Sequence, residues 1–205
     1  DILNYRNRWW RETARQQLRH RENRSTAAPR LNQILRTEPG QYALEALWGL
    51  NLIGAFDPAA FDVAITHRHP AVRRWAIRLI GDEANPTPDQ VDKIAAALTL
   101  ESDPEVLSQA ISSSARFPAP LALRLLTLIS QHDIIRSSPD FERVLWWAIE
   151  PFYAAHPDRV LALLTELVTA HPDAPLPALA EFAMRRMANA GTKSDLQRCA
   201  KLLSF

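Results

Sequence analysis

His69-Pro70-Ala71-Val72-Arg73-Arg74-Trp75-Ala76-Ile77-Arg78-Leu79-Ile80 is the stretch that decides how this chain folds. Val72, Trp75, Ala76, Leu79 and Ile80 fall at i, i+3, i+4, i+7 and i+8, which is one stripe of an α-helix. Pro70 stands at the first turn, where its missing N–H is not needed and its fixed φ already suits the helix. The stripe predicts a helix over 70–83, with Arg74 and Arg78 as surface candidates.

The same pattern recurs outward in both directions. Val91, Ile94, Ala95 and Leu98 repeat the stripe, as do Leu121, Leu125, Leu128 and Ile129. Between stripes lie helix-start signals: Asp57-Pro58, Thr87-Pro88, Asp103-Pro104, Ser138-Pro139, His156-Pro157 and Pro175. No segment sustains period-two alternation with β-branched residues, so no strand is expected. The signals divide the chain into about twelve helices. Their expected spans are 7–22, 27–37, 40–54, 58–67, 70–83, 88–101, 104–116, 119–132, 138–155, 157–170, 175–189 and 194–204. Short connections force neighbouring helices antiparallel, in about six pairs. The punctuation agrees: the 205 residues hold 15 Pro and only 5 Gly, which suits many short helices better than hairpins of strand.

The second helix of each pair carries a small residue at an equivalent place: Ala14, Ala46, Ala76, Ala110, Ala148 and Ala183, separated by 32, 30, 34, 38 and 35 residues. Four residues after most of them sits a large apolar side chain, at Leu18, Leu50, Ile80, Phe152 and Met187. Arg11 and Arg73 stand three residues before the first and third. Self-similarity at a period in the thirties is the signature of stacked helical hairpins. One hairpin cannot bury its apolar face alone, and a small residue lets helices approach where they cross.

Pro70-x-Val72-Arg73-x-x-Ala76 resembles the second-helix pattern of HEAT repeats, and Asp103-Pro104-Glu105-Val106 followed by Ala110 resembles it again, with Leu107 in place of the Arg. The fixed Trp, Gly and Tyr positions and strict period of tetratricopeptide repeats are absent. The resemblance implies an all-α fold, a right-handed α-α superhelix of the HEAT-like solenoid type, with 1–205 as a single repeat domain. It also implies that Arg73 makes structural contacts between repeats. Two blocks carry a narrower resemblance: Ala46-Leu47-Trp48-Gly49-Leu50 onward to Gly81, and Leu145-Trp146-Trp147-Ala148-Ile149-Glu150-Pro151-Phe152 with His156-Pro157-Asp158-Arg159. Together they are similar to the helical-repeat region of a bacterial family of membrane-bound dehydrogenases, in which a propeller, HEAT-like repeats and a cytochrome-c-like domain follow one another. That resemblance implies a segment excised from a larger multidomain protein working outside the cytoplasm. The propeller and the Cys-x-x-Cys-His haem motif of that family are not in this sequence, whose one cysteine is Cys199. The resemblance therefore implies a context and not an activity of the segment itself.

Net charge is +1, yet residues 1–36 carry nine Arg against three carboxylates. Such asymmetry predicts one charged contact surface. On a helix, Arg8, Arg15 and Arg19 form a basic stripe, while Trp10, Ala14 and Leu18 share the opposite face, which predicts at least one of Trp9 and Trp10 in the core. Basic and aromatic side chains together also suit nucleic acid, but the net acidic remainder of the chain disfavours it. His67-x-His69 has metal-like spacing, yet lies at a turn without a third ligand, so exposed turn or capping histidines are expected. Glu150-Pro151 predicts a helix kinked or broken near Trp147. Glu150 there either ligates a partner or acts as an acid in an aromatic pocket with Trp146, Trp147, Phe152 and Tyr153, or else it pairs with a neighbouring Arg or caps the next helix while the aromatics are core. Cys199 is expected to be small and buried. No phosphate loop, nucleophile elbow or triad is present, and no apolar run of about 18 residues spans a membrane. No cofactor is specified. The expected function is a non-catalytic scaffold for protein or interdomain contacts, its second helices lining a shallow concave face. The candidate contact residues are Arg8, Arg15, Arg19, Arg74, Arg78, Trp147 and Glu150. The alternative is a nucleic-acid-binding repeat using the basic N-terminal helix.

Overall fold

The computed structural model describes residues 2–169 and 177–203. All regular structure among them is helical, with no strand. The α-helices are α1 (Arg8–His20), α2 (Ala28–Thr37), α3 (Gly40–Leu52), α4 (Pro58–Ile65), α5 (Pro70–Glu83), α6 (Pro88–Thr99), α7 (Pro104–Ser114), α8 (Ala119–Ser130), α9 (Asp133–Arg136), α10 (Pro139–Ile149), α11 (Pro157–Thr169), α12 (Pro177–Ala190) and α13 (Lys193–Leu202). Short 3-10 turns cover Ile2–Asn4, Arg24–Ala27 and Glu150–Phe152.

Proline sets most of the starts. Pro58, Pro70, Pro88, Pro104, Pro139 and Pro157 each open a helix, and several are preceded by a side chain that satisfies the orphan N–H groups. Asp57 accepts from the Ala60 amide at 2.8 Å. Asp103 accepts from Glu105 and Val106. Thr87 and Gln90 form a reciprocal capping box. α12 is capped from outside: the Leu179 amide donates to the buried Glu142 of α10 at 3.0 Å. The start expected at Pro175, and the chain end at Ser204 and Phe205, lie outside the described residues.

Two expectations are corrected. The turn α9 falls in a stretch expected to be loop; a single turn is too short to display a stripe, although its Ile135 is fully buried. The helix expected over 138–155 stops short at Ile149, two residues past Trp147, so the break expected near Trp147 is seen while the span to 155 is not. Pro151 has no N–H to continue the ladder, so the chain tightens into the 3-10 turn Glu150–Phe152, where the Tyr153 amide donates to the Glu150 carbonyl.

The chain divides into two compact units, 1–80 and 81–205, with the boundary inside α5. In the first, α1 packs on α3 and α2 packs on α3 and α4. In the second, α7, α10 and α12 stand side by side in one row, while α6, α8, α11 and α13 form the other. The small anchors behave as their spacing predicts: Ala46 and Ala76 in the first unit, and Ala110, Ala148 and Ala183 in the second, are buried. Ala14 is half-buried. The N-terminal aromatics depart from expectation. α1 has no buried residue, and Trp9 and Trp10 are 59% and 44% exposed. Trp10, Ala14 and Leu18 do share a face, but that face lines a hollow of about 300 Å³ with Ile2 and Leu3.

Two helical glycines test the packing in opposite directions. A Cβ on Gly81 would stand 2.7 Å from the Cβ of Ser113, which is fully buried and fixed to its own helix. Replacing a helical glycine by alanine gains about 1 kcal/mol of propensity, and overpacking a rigid site costs about 1–3 kcal/mol. Gly81→Ala is therefore expected to lower the urea midpoint. At Gly49 the added Cβ meets flexible Leu31 methyls at 3.2 and 3.3 Å. Gly49→Ala is expected to be close to neutral in the same titration, and equal losses at both positions would show that the Ser113 contact is not the tight one.

Candidate functional site

α3 is apolar on nearly every face, and Glu45 is the one carboxylate on it, 2% exposed. A buried carboxylate is tolerated only when paired and hydrogen-bonded. Arg11 and Arg15, four apart on α1, present both guanidinium groups to it. Arg11 Nε donates to one oxygen at 2.9 Å, Arg15 donates to the other, and Gln41 donates from one turn earlier on α3 at 2.8 Å. Arg11 also donates to the Tyr5 and Arg6 carbonyls at 2.7 and 2.8 Å, holding the approach to α1. Arg73, its repeat equivalent, donates to the His67 carbonyl at 2.8 Å. Each of the two thus clamps a carbonyl six residues upstream, Tyr5 or His67, a structural role in keeping with the repeat pattern.

Glu45 is the foot of a ladder. Arg15, fixed by that carboxylate, lies 4.7 Å over the ring of Trp48. Trp48 meets Trp75 edge to face at 5.0 Å and 83°. Arg78 lies 5.2 Å over Trp75. Three-residue spacing puts Glu45 and Trp48 on one face of α3, and Trp75 and Arg78 on one face of α5. Guanidinium over indole is attractive through the ring quadrupole and keeps the N–H edges outward. Beside the ladder is a hollow of about 330 Å³ lined by Glu12, Arg15, Gln16, Arg19, Trp48 and Leu52.

The other candidates are scattered. Arg8 is exposed and pairs with Glu12 at 2.6 Å. Arg19 is exposed and Arg74 half-buried, both in the first unit. The basic stripe expected from Arg8, Arg15 and Arg19 is thus broken, because Arg15 turns inward to Glu45. Trp147, in the second unit, is 60% exposed. Glu150 takes the ion-pair alternative: it meets Arg186 at 3.5 Å, and Arg186 in turn lies 5.6 Å from the Tyr153 ring. The aromatic acid pocket does not form, since Trp146 is buried and Trp147 points to solvent.

The histidine pair belongs to the turn, but His67 is buried and not exposed as expected, because its ring reaches the Glu38 carbonyl. The His69 amide donates to Nδ1 of buried His67 at 3.0 Å, which leaves Nε2–H to donate to the Glu38 carbonyl at 3.3 Å. Among the described residues no cluster of three or more potential metal ligands exists. Cys199 is half-buried and not buried, with Sγ 4.0 Å from the Met184 carbonyl.

Sequence reasoning missed Glu45, although a single carboxylate in an otherwise apolar helix next to the Ala46 anchor is a readable signal. It also missed a cluster in the second unit. The buried Tyr153 hydroxyl donates to Asp195 at 2.5 Å, Thr192 donates to the other oxygen at 2.6 Å, and Arg198 bridges Asp195 to Asp158. Burial, then the Asp195 charge, pushes the Tyr153 hydroxyl up to about 12. Bonds from Thr192 and Tyr153 hold the Asp195 carboxyl below its ordinary value. The cluster fastens the chain after α10 to the start of α13.

Residues 58–138 match the family model described as HEAT repeats. With the all-α array of hairpins, this makes the fold that of a HEAT-like helical repeat. No curated protein and no solved structure matches the chain. No described helix is long and apolar enough to cross a membrane.

Two outcomes check the site. Removing one partner of a buried pair strands the other charges, at about 3–5 kcal/mol when fully buried. Arg11 and Arg15 keep some exposure, so Glu45→Ala is expected to lose about 2–3 kcal/mol in urea unfolding; a loss as small as that of a surface substitution would mean the carboxylate anchors nothing. Burial holds the His67 imidazole below its ordinary 6.5. The unfolded chain takes up the proton first, so this contribution is complete above about pH 6.5 and falls away as the pH drops. Wild type is expected to lose more stability than His67→Gln between about pH 7.5 and 5.5; parallel curves would contradict the assignment.

Proposed function

We propose that this chain is a non-catalytic helical-repeat scaffold that docks a protein or a neighbouring domain on the first unit. The observation that carries this reading is the arginine–tryptophan ladder. Its groups are tied to one another and to the fold, so they offer a fixed surface and not a mobile reacting group. Rigid side chains lose little entropy on binding, which is what a docking surface requires. The match of 58–138 to HEAT repeats supports it further, since stacked helical repeats present extended surfaces to protein partners.

The setting we propose comes from the resemblance of Ala46–Gly81 and Leu145–Arg159 to the repeat region of propeller–repeat–cytochrome dehydrogenases. In that setting the scaffold spaces two redox domains outside the cytoplasm. The surrounding open reading frame tests the setting: a propeller before and a Cys-x-x-Cys-His motif after support it, and a frame with neither removes it. Hydroxyl-radical footprinting of the parent protein against the isolated 205-residue chain tests the scaffold. Trp48, Trp75 and Leu52 are expected to oxidise more slowly in the parent or its complex, and equal rates would overturn the docking role.

A further inference from the structure

We propose that the ladder face of the first unit binds an acidic protein segment in which carboxylates alternate with aliphatic side chains. This rests on the scaffold reading and names its partner class.

Charge complementarity is the first argument. Residues 1–80 hold thirteen Arg and no Lys against seven carboxylates, a net charge of +6. Residues 81–205 carry a net charge of −5. The excess lies within residues 1–36, which include α1 with Arg15 and Arg19, while residues 37–80 are balanced. Glu12 is engaged by Arg8, and Glu45 by Arg11 and Arg15. A guanidinium offers five N–H groups in a planar fork matched to a carboxylate. Arg15 spends one on Glu45, and the indole beneath it fixes the plane in which the others lie.

The hollow beside the ladder supplies the second argument. Its walls are Arg15, Arg19, Gln16 and Glu12, the last already paired with Arg8, and its apolar surface is Trp48 and Leu52. That combination fits an aliphatic side chain flanked by carboxylates. It does not fit a nucleic-acid strand well. Base stacking needs an open ring face, whereas Trp48 lies under Arg15 and Trp75 under Arg78. The two indoles also meet edge to face. A sugar–phosphate backbone has nothing to set against Leu52.

The test is fluorescence anisotropy of the 205-residue chain with four labelled probes of equal length. These are a Glu/Leu peptide, an all-Glu peptide, a Lys/Leu peptide and a single-stranded oligothymidylate. The Glu/Leu peptide is expected to bind at least about tenfold more tightly than each of the others, and to weaken about tenfold between low and physiological salt. Arg19→Glu with Arg78→Glu is expected to abolish binding. Arg19→Glu alone, at an exposed position, should weaken it several-fold with an unchanged thermal midpoint, so a folding defect in the double variant does not obscure the result. Tighter binding of the oligonucleotide would overturn the proposal in favour of nucleic acid. Equal binding of the Glu/Leu and Lys/Leu peptides would overturn the charge argument. Salt-sensitive self-association that the Glu/Leu peptide does not compete for would replace the acidic segment by a second copy of the chain. Slow oxidation of Trp48 and Trp75 in the parent, with no peptide binding, would leave the scaffold standing and discard the acidic partner.

Discussion

A helical hairpin has an apolar face that it cannot cover by itself, and everything in this fold follows from the need to stack. Ala46 and Ala76 in the first unit, and Ala110, Ala148 and Ala183 in the second, are buried because helices cross over them. Larger side chains four residues on, such as Leu50, Ile80 and Met187, fill the space beside each crossing. The spacing of the anchors varies from 30 to 38, yet each of these five is buried. Gly81 shows how little slack remains, with its position for a Cβ already occupied by Ser113 and Arg116.

Buried carboxylates in these layers tie one element to another. Glu142 closes the start of α12, Asp195 gathers Tyr153, Thr192 and Arg198, and Glu45 joins α1 to α3. Each is a carboxylate with at least one strong donor. The cost of burial is thereby converted into a preference for one packing arrangement. Glu45 goes further than the others, because the Arg15 it holds continues into Trp48, Trp75 and Arg78. The contact that stabilises the first unit and the surface proposed to bind a partner are the same set of side chains.

The two units carry opposite charge, and this matters for association more than for the fold. Arginine in place of lysine across residues 1–80 favours directional pairing over diffuse attraction. Trp147 on the second unit, exposed on α10 beside the Pro151 break, belongs to no such ladder.

Most of the fold was legible in the sequence. Proline with a preceding cap marks where α4, α6 and α7 begin, and the i, i+3, i+4 stripes mark which face each helix buries. These are interactions within about four residues, where the rules of helix geometry suffice. The charge division needs only counting. Tertiary structure decided the rest: that Arg15 turns from the basic stripe to Glu45, thirty residues away, that Trp9 and Trp10 stay exposed, and that Tyr153 reaches Asp195 across 42 residues. Those outcomes depend on which helices stand side by side and at what height. Local periodicity does not encode that register. It is set by long-range contacts within each unit, such as Arg15 to Glu45 in the first and Tyr153 to Asp195 in the second.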